Sequence, residues 1–248
     1  PLRRIVLETS GLSKPGPVLR QLASLAVHRL RVSVLATFDA TRGAAVAEFE
    51  DAAAQWAAAH RIGVTKTDAV SAGTLAERRD QAAALNPLSE IVATADRDQA
   101  VAAAFVDLKA TAPIPALPQG IARAVHPRIT VCLARPTSVL AYDDLAYWLD
   151  NLAGALGERL LRLKGLVRVK ESERPVLVQC VGTVFSPLRP FGEPQTAMPP
   201  FLVIIGRDLQ AAELEAVLPI GLFTFSSWAA PASPLHASAP LPMGLSRV

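Results

Sequence analysis

Cysteine is almost absent: Cys132 and Cys180 are the only two in 248 residues. Two thiols can build neither a disulfide framework nor a four-thiolate structural zinc site, and such sparing use fits a reducing, cytoplasmic setting. Aromatic residues make up 5%, too few to accompany basic residues with the stacking platforms that single-stranded nucleic acid requires. Charge is scarce as well. At 19% of the chain, 25 Lys+Arg stand against 22 Asp+Glu, a formal +3 that gives no electrostatic case for nucleic acid. Residues 216–246 contain no Asp, Glu, Lys or Arg, yet Pro219, Pro231, Pro234, Pro240 and Pro242 would leave a spanning helix with unmade backbone hydrogen bonds, so no membrane segment is expected there. The opening Pro1-Leu2-Arg3-Arg4 leads into a short apolar run ending at Glu8, which is not the pattern of a signal peptide.

What is present is apolar and alanine-rich. Hydrophobic residues reach 51%, enough for a sizeable core. Through about residue 110, short β-branched runs alternate with longer helical ones. Strands are expected at Ile5–Leu7, Arg31–Thr37, Arg61–Thr65 and Glu90–Ala93, with helices near 17–28, 43–59, 71–85 and 97–108. This is the pattern of an α/β unit with a parallel sheet and crossover helices. A proline-rich linker occupies 111–127. Beyond it, residues 128–220 read as a smaller α+β domain with an antiparallel sheet: a strand at 128–134, a helix at 139–156, strands near 159–169, 175–185 and 201–206, and a helix near 208–218. Residues 221–248 read as a Pro/Ser-rich tail.

Two clusters sit where strands of the first unit are expected to end, the side on which parallel sheets bind ligands. In Glu8-Thr9-Ser10-Gly11, Gly11 allows close approach of a backbone N–H to a phosphate. Ser10 can serve a phosphate or a metal-bound water, and Glu8 can orient a nucleophilic water or hydrated Mg²⁺. In Thr65-Lys66-Thr67-Asp68, the aspartate can accept from both the ring N–H and the exocyclic amine of guanine, an edge on which adenine offers no ring proton. The lysine stem can cover the base plane. In the second unit, period-two alternation places Arg162, Lys164, Arg168 and Lys170 on one face of a strand, opposite Leu161, Leu163, Val167 and Val169. That basic face is either a solvated surface above a core or a site for phosphate or an acidic partner.

In this order the pieces resemble the CobW-type GTPases, P-loop proteins linked to metal insertion and metal homeostasis. The resemblance runs through Glu8-Thr9-Ser10-Gly11-Leu12 with its proline-containing helix start at Pro15 and Pro17, Asp39 at the end of the next strand, Thr65-Lys66-Thr67-Asp68, and Asn86-Pro87. It continues through Gly157-Glu158-Arg159-Leu160-Leu161-Arg162-Leu163-Lys164-Gly165, Pro175–Gln179 and Leu202–Leu209 in the second domain. It implies GTP or GDP with Mg²⁺, read at the base by Lys66 and Asp68 with Thr65 shaping the loop. Glu8, as the catalytic group, would act with Ser10 and Gly11 at the γ-phosphate. The function implied is delivery of zinc, cobalt or a metallocofactor to a client metalloprotein or metal-insertion enzyme, with Arg162, Lys164, Arg168 and Lys170 as partner contacts.

Two features of the family are missing. No G-x-x-x-x-G-K-[ST] loop occurs in the 248 residues, nor a C-x-C-C metal motif. Both lie upstream of the E-x-S-G segment in the family, so the chain reads as the distal part of a longer GTPase and is not expected to hydrolyse GTP alone. His28, His60, His126 and His236 show no metal-ligand spacing, and no metal ligand is nominated. A sheet lacking its first strand and phosphate-loop helix would expose an apolar edge, which predicts self-association. The alternative function is a non-catalytic protein-interaction or scaffold module without a nucleotide site.

Overall fold

The computed structural model describes residues 4–28, 30–43, 50–106, 128–192, 199–217 and 221–227. The linker expected at 111–127, the part of the expected tail beyond 227 and residues 44–49 of the helix expected at 43–59 lie outside them.

The first unit is a three-stranded parallel sheet in the order β1-β2-β3, formed by β1 (Leu35–Asp39), β2 (Arg61–Thr65) and β3 (Glu90–Val92). Four helices accompany it: α1 (Pro15–Leu22), α2 (Glu50–Ala58), α3 (Ala72–Leu85) and α4 (Arg97–Phe105). Ser71 caps α3 by accepting from Thr74 N, and Asp96 caps α4 by accepting from Gln99 N. β1 starts later than its apolar run suggests because its one strand partner among the described residues is β2, which begins with Arg61 opposite Leu35. The strand expected at Ile5–Leu7 does not form. No neighbouring strand among the described residues satisfies its backbone, and Ile5, Val6 and Leu7 stand 66%, 65% and 61% exposed.

The second unit holds β4 (Ile129–Pro136), α5 (Tyr142–Leu156), β5 (Leu160–Val167), β6 (Val176–Val181), β7 (Val184–Phe185), β8 (Arg189–Pro190), β9 (Phe201–Arg207), α6 (Ala211–Ala216) and β10 (Phe223–Ser227). Its antiparallel sheet runs β10-β4-β9-β5-β6-β7, with β8 on β6. β10 is a correction to the expected tail. Phe223–Ser227 pairs with β4, and Phe223 packs against Trp148 at 4.4 Å between ring centroids. Phe223 is buried and Phe225 half-buried while Thr224 and Ser226 are exposed, an alternation that the surrounding prolines and serines, which suggested a tail, obscure. At Gly165, where β5 meets Leu202 of β9, a Cβ would collide with the Phe201 carbonyl oxygen and the Leu202 backbone, so only glycine permits this pairing.

α5 covers the outer face of this sheet through Leu145, Trp148, Leu149, Leu152 and Leu156. The inner face packs on α2, whose Ala54 and Ala57 join Leu133, Leu161, Leu166, Phe201, Val203 and Ile205 in one core. On its other side α2 places Trp56 and the adjoining Ala59 among Phe38, Ile62 and Val64 of the parallel sheet. A helix held between two sheets has little room for long side chains, which accounts for its run of alanines.

Both ends of α2 are fastened. Asn86, fully buried, donates from Nδ2 to the carbonyls of Trp56 (2.8 Å), Ala57 (3.0 Å) and Ala59 (2.9 Å), and its Oδ1 accepts from Leu88 N at 3.0 Å. Arg162 of β5 donates to the Ala58 carbonyl at 3.0 Å. At the first turn, Glu50 pairs with Arg128 and Arg207 of the second unit, both at 2.9 Å. Carboxylate at the start and cation at the end both suit the helix dipole.

Candidate nucleotide site

The ends of β1 and β2 carry a connected group. Because these strands are parallel and in register, Asp39 lies opposite Thr65, and the residues that follow meet above the sheet. Lys66 Nζ donates to Asp39 Oδ2 at 2.6 Å, while Asp39 Oδ1 accepts from Thr41 N (2.9 Å) and Thr41 Oγ1 (2.6 Å). The Lys66 ammonium, then the Thr41 hydroxyl, hold the Asp39 carboxyl well below its usual value. Ala40 N donates to the Thr65 carbonyl at 3.0 Å, which closes the two loops on each other.

Lys66 adopts a left-handed backbone, φ 55°. For a residue with a Cβ this is strained by roughly 1 kcal/mol or more, and it turns the chain sharply into a short 3₁₀ segment, Thr67–Ala69. Thr67, buried, donates to the Thr94 carbonyl beyond β3 at 3.0 Å. The loops after β1, β2 and β3 are therefore tied side by side. Asp68 projects from this turn, exposed, and its carboxylate has no partner among the described residues. Thr65 and Lys66 are exposed beside it. Sequence reasoning did not nominate Asp39 as a site residue, nor Thr41; the signal for the first was an aspartate ending a β-rich run.

Glu8, Ser10 and Gly11 are placed differently from expectation. They lie in an exposed irregular segment, not at a strand end. The segment is anchored by Gln55 of α2, whose Nε2 donates to the carbonyls of Gly11 (2.7 Å) and Ser13 (3.0 Å). A Cβ at Gly11 would meet nothing within 4 Å, so nothing in the surrounding fold demands glycine there. No hydrogen bond or ion pair among the described residues joins Glu8, Ser10 or Gly11 to Thr65, Lys66 or Asp68.

The basic face of β5 is the main correction. A bulge between Leu160 and Arg162 resets the alternation, so Leu161 joins the core shared with α2 while Leu160 and Leu163 face α5. Arg162 is 2% exposed and Lys164 9% exposed. Both are enclosed within this chain and are not displayed to a partner; sequence alternation could not anticipate a helix of the other unit lying over them. Arg168 is half-buried and Lys170 exposed.

The residues fit a nucleotide base better than they fit phosphates or a metal. A free carboxylate beside a lysine stem suits guanine, whereas the G-x-x-x-x-G-K-[ST] loop is not among these residues. Among the described residues no three His, Cys, Asp or Glu side chains gather as a metal site. Cys132 and Cys180 are buried, and burial pushes the Cys180 thiol up to about 12, so neither is disposed to be a thiolate ligand.

A parallel sheet bearing polar loops at its carboxyl ends, joined to an α+β domain, defines an α/β protein with an appended α+β domain. Comparison with known families agrees. The CobW/HypB/UreG nucleotide-binding domain matches residues 1–93, and the cobalamin synthesis protein CobW C-terminal domain matches residues 129–219. The chain belongs to the CobW-type family. Its fold is similar to that of the Zn(II)-bound YjiA GTPase from E. coli, with 20% identity over 85% of this chain and 68% of that one, at a TM-score of 0.61. A Zn(II)-bound triple mutant of the YjiA GTPase matches at 19% identity with the same coverage and the same TM-score. No curated protein matches the chain in sequence. Among the described residues no helix is long and apolar enough to cross a membrane.

Proposed function

We propose that this chain supplies the guanine-reading part and the C-terminal domain of a GTP-binding metallochaperone-type protein. The observation that carries this reading is the exposed, unpartnered carboxylate of Asp68, set beside Lys66 by a strained left-handed turn at the carboxyl end of β2. A conformation of that cost is retained where a ligand uses it. Asp68 accepts from the ring N–H and exocyclic amine of guanine, the Lys66 stem covers the base, and Thr65, hydrogen-bonded to the Phe38 carbonyl at 3.4 Å, shapes the loop. Glu8, Ser10 and Gly11 respond to the γ-phosphate and Mg²⁺, whose main phosphate contacts come from outside these 248 residues. The cargo is zinc, cobalt or a metallocofactor, held by ligands not found here, and the client is a metalloprotein or metal-insertion enzyme. The zinc in the YjiA structures and the family's CobW, HypB and UreG members support this class of function.

The test is calorimetric titration with Mg²⁺·GDP and Mg²⁺·ADP, on this chain and on the protein expressed from its complete reading frame. Guanine preference in the latter, reduced by ~10–100-fold in Asp68→Ala through loss of a bidentate contact worth ~1–3 kcal/mol, is the expected result. Absence of nucleotide binding in both, or an unaltered preference in the variant, overturns the reading in favour of a non-catalytic interaction module.

A further inference from the structure

The two buried cations of β5 lack what buried charge requires. Arg162 spends Nη1 on the Ala58 carbonyl, and its Nε is buried without a hydrogen-bond partner. Lys164, on the same strand face two residues on, has no hydrogen bond or ion pair among the described residues. A buried guanidinium nitrogen without an acceptor is costly, and an ammonium largely withdrawn from water beside it adds to that cost unless an anion or several acceptors surround them.

The surroundings add positive charge instead of removing it. His60, at the turn between α2 and β2, accepts from Val34 N at Nδ1 (3.0 Å), so its neutral ring carries the proton on Nε2 and presents a donor there. Burial, then Arg162, Lys164 and Arg61, hold that ring well below its usual pKa, which places all three cations within electrostatic reach of it. Burial and then Arg162 lower Lys164 to about 8. Glu90 is engaged with Arg61 at 2.8 Å. No Asp or Glu among the described residues pairs with Arg162 or Lys164.

We infer that Arg162 and Lys164, with His60 beside them, form a binding site for a small oxyanion of the phosphate or carboxylate type at the junction of the two units. The free Nε of Arg162 and the ammonium of Lys164 are the donors, and the residual exposure of Lys164 marks the way in. An anion there would offset the charge of the two cations and add a further contact between the C-terminal sheet and the end of α2, so that part of the contact between the two units would respond to the anion. The site lies at the amino end of β2, away from the Asp68 loop, and its test needs no nucleotide.

Inorganic phosphate is the probe. Thermal unfolding of the whole chain is followed across a millimolar phosphate series, with chloride holding ionic strength constant. The wild-type midpoint should rise and saturate. Lys164→Met should melt higher without phosphate, since it removes an unpaired buried charge, and should show no saturable rise. In parallel, acylation of Lys164 in the wild-type protein near pH 8 should fall several-fold when phosphate is added. This second readout needs no variant to fold. Equal responses of wild type and Lys164→Met, or labelling of Lys164 that phosphate leaves unchanged, would overturn the inference.

Discussion

Replacing Asn86 by alanine tests the central structural claim, that α2 is fastened at its carboxyl end by a side chain from a distant loop. The Nδ2 group offers two protons to three carbonyls, at 2.8, 3.0 and 2.9 Å, and Oδ1 accepts from Leu88 N. All of this lies in a fully buried position. Three protons' worth of hydrogen bonding is lost, at about 1 kcal/mol net apiece, and groups left unsatisfied in the interior add to that. The expected loss is about 3–5 kcal/mol, within the range of severe single substitutions. Urea unfolding followed by near-ultraviolet circular dichroism is the assay, because Trp56 packs on Phe38 at 4.8 Å and reports on this helix. Amide exchange should show the loss concentrated in α2 and the start of β2. Asn86→Asp, which points a carboxylate at three carbonyl oxygens, should be at least as damaging at neutral pH. A loss below about 1 kcal/mol in Asn86→Ala would refute the reasoning, since it would mean that water or rearrangement satisfies the helix end as well as asparagine does.

The pH dependence of Asp39 has a definite sign. Its folded carboxyl is held below the ordinary value by Lys66 and Thr41, so its contribution is complete above the ordinary carboxyl range and disappears as acid carries the pH down through the lowered value. Asp39→Asn should therefore flatten the acid limb of a stability-pH curve, and an unchanged limb would remove the pair from the account. Phe223→Ala strips the ring that packs on Trp148 and loosens β10 from β4. It should cost about 3 kcal/mol and expose the β4 edge, so that sedimentation finds more association than in the wild type. A stable variant with wild-type sedimentation would show that β10 is dispensable.

Much of this protein was legible in its residues because it depends on local chemistry. The expected strand at Arg61–Thr65 coincides with β2, and Ser71 and Asp96 mark the helix starts that they cap. The antiparallel sheet of the second unit follows from apolar alternation, and the T-K-x-D loop falls at a strand end as its setting implied. Ile5–Leu7 shows the limit of such reading. Its composition suits a strand, but a strand exists only with a neighbour to satisfy its backbone, and none is present among the described residues.

What the amino-acid sequence determined by itself was therefore the inventory: an α/β unit, an α+β unit and a T-K-x-D loop at a strand end. These depend on periodicity and on the chemistry of adjacent residues. Tertiary structure alone decided where the charge of β5 goes. Alternation put Arg162 and Lys164 on a polar face, and only the packing of α2 across that face, with a bulge shifting Leu161 inward, buried them beside His60. Burial comes from contacts between segments far apart in the chain, and no pattern within β5 encodes what will lie over it.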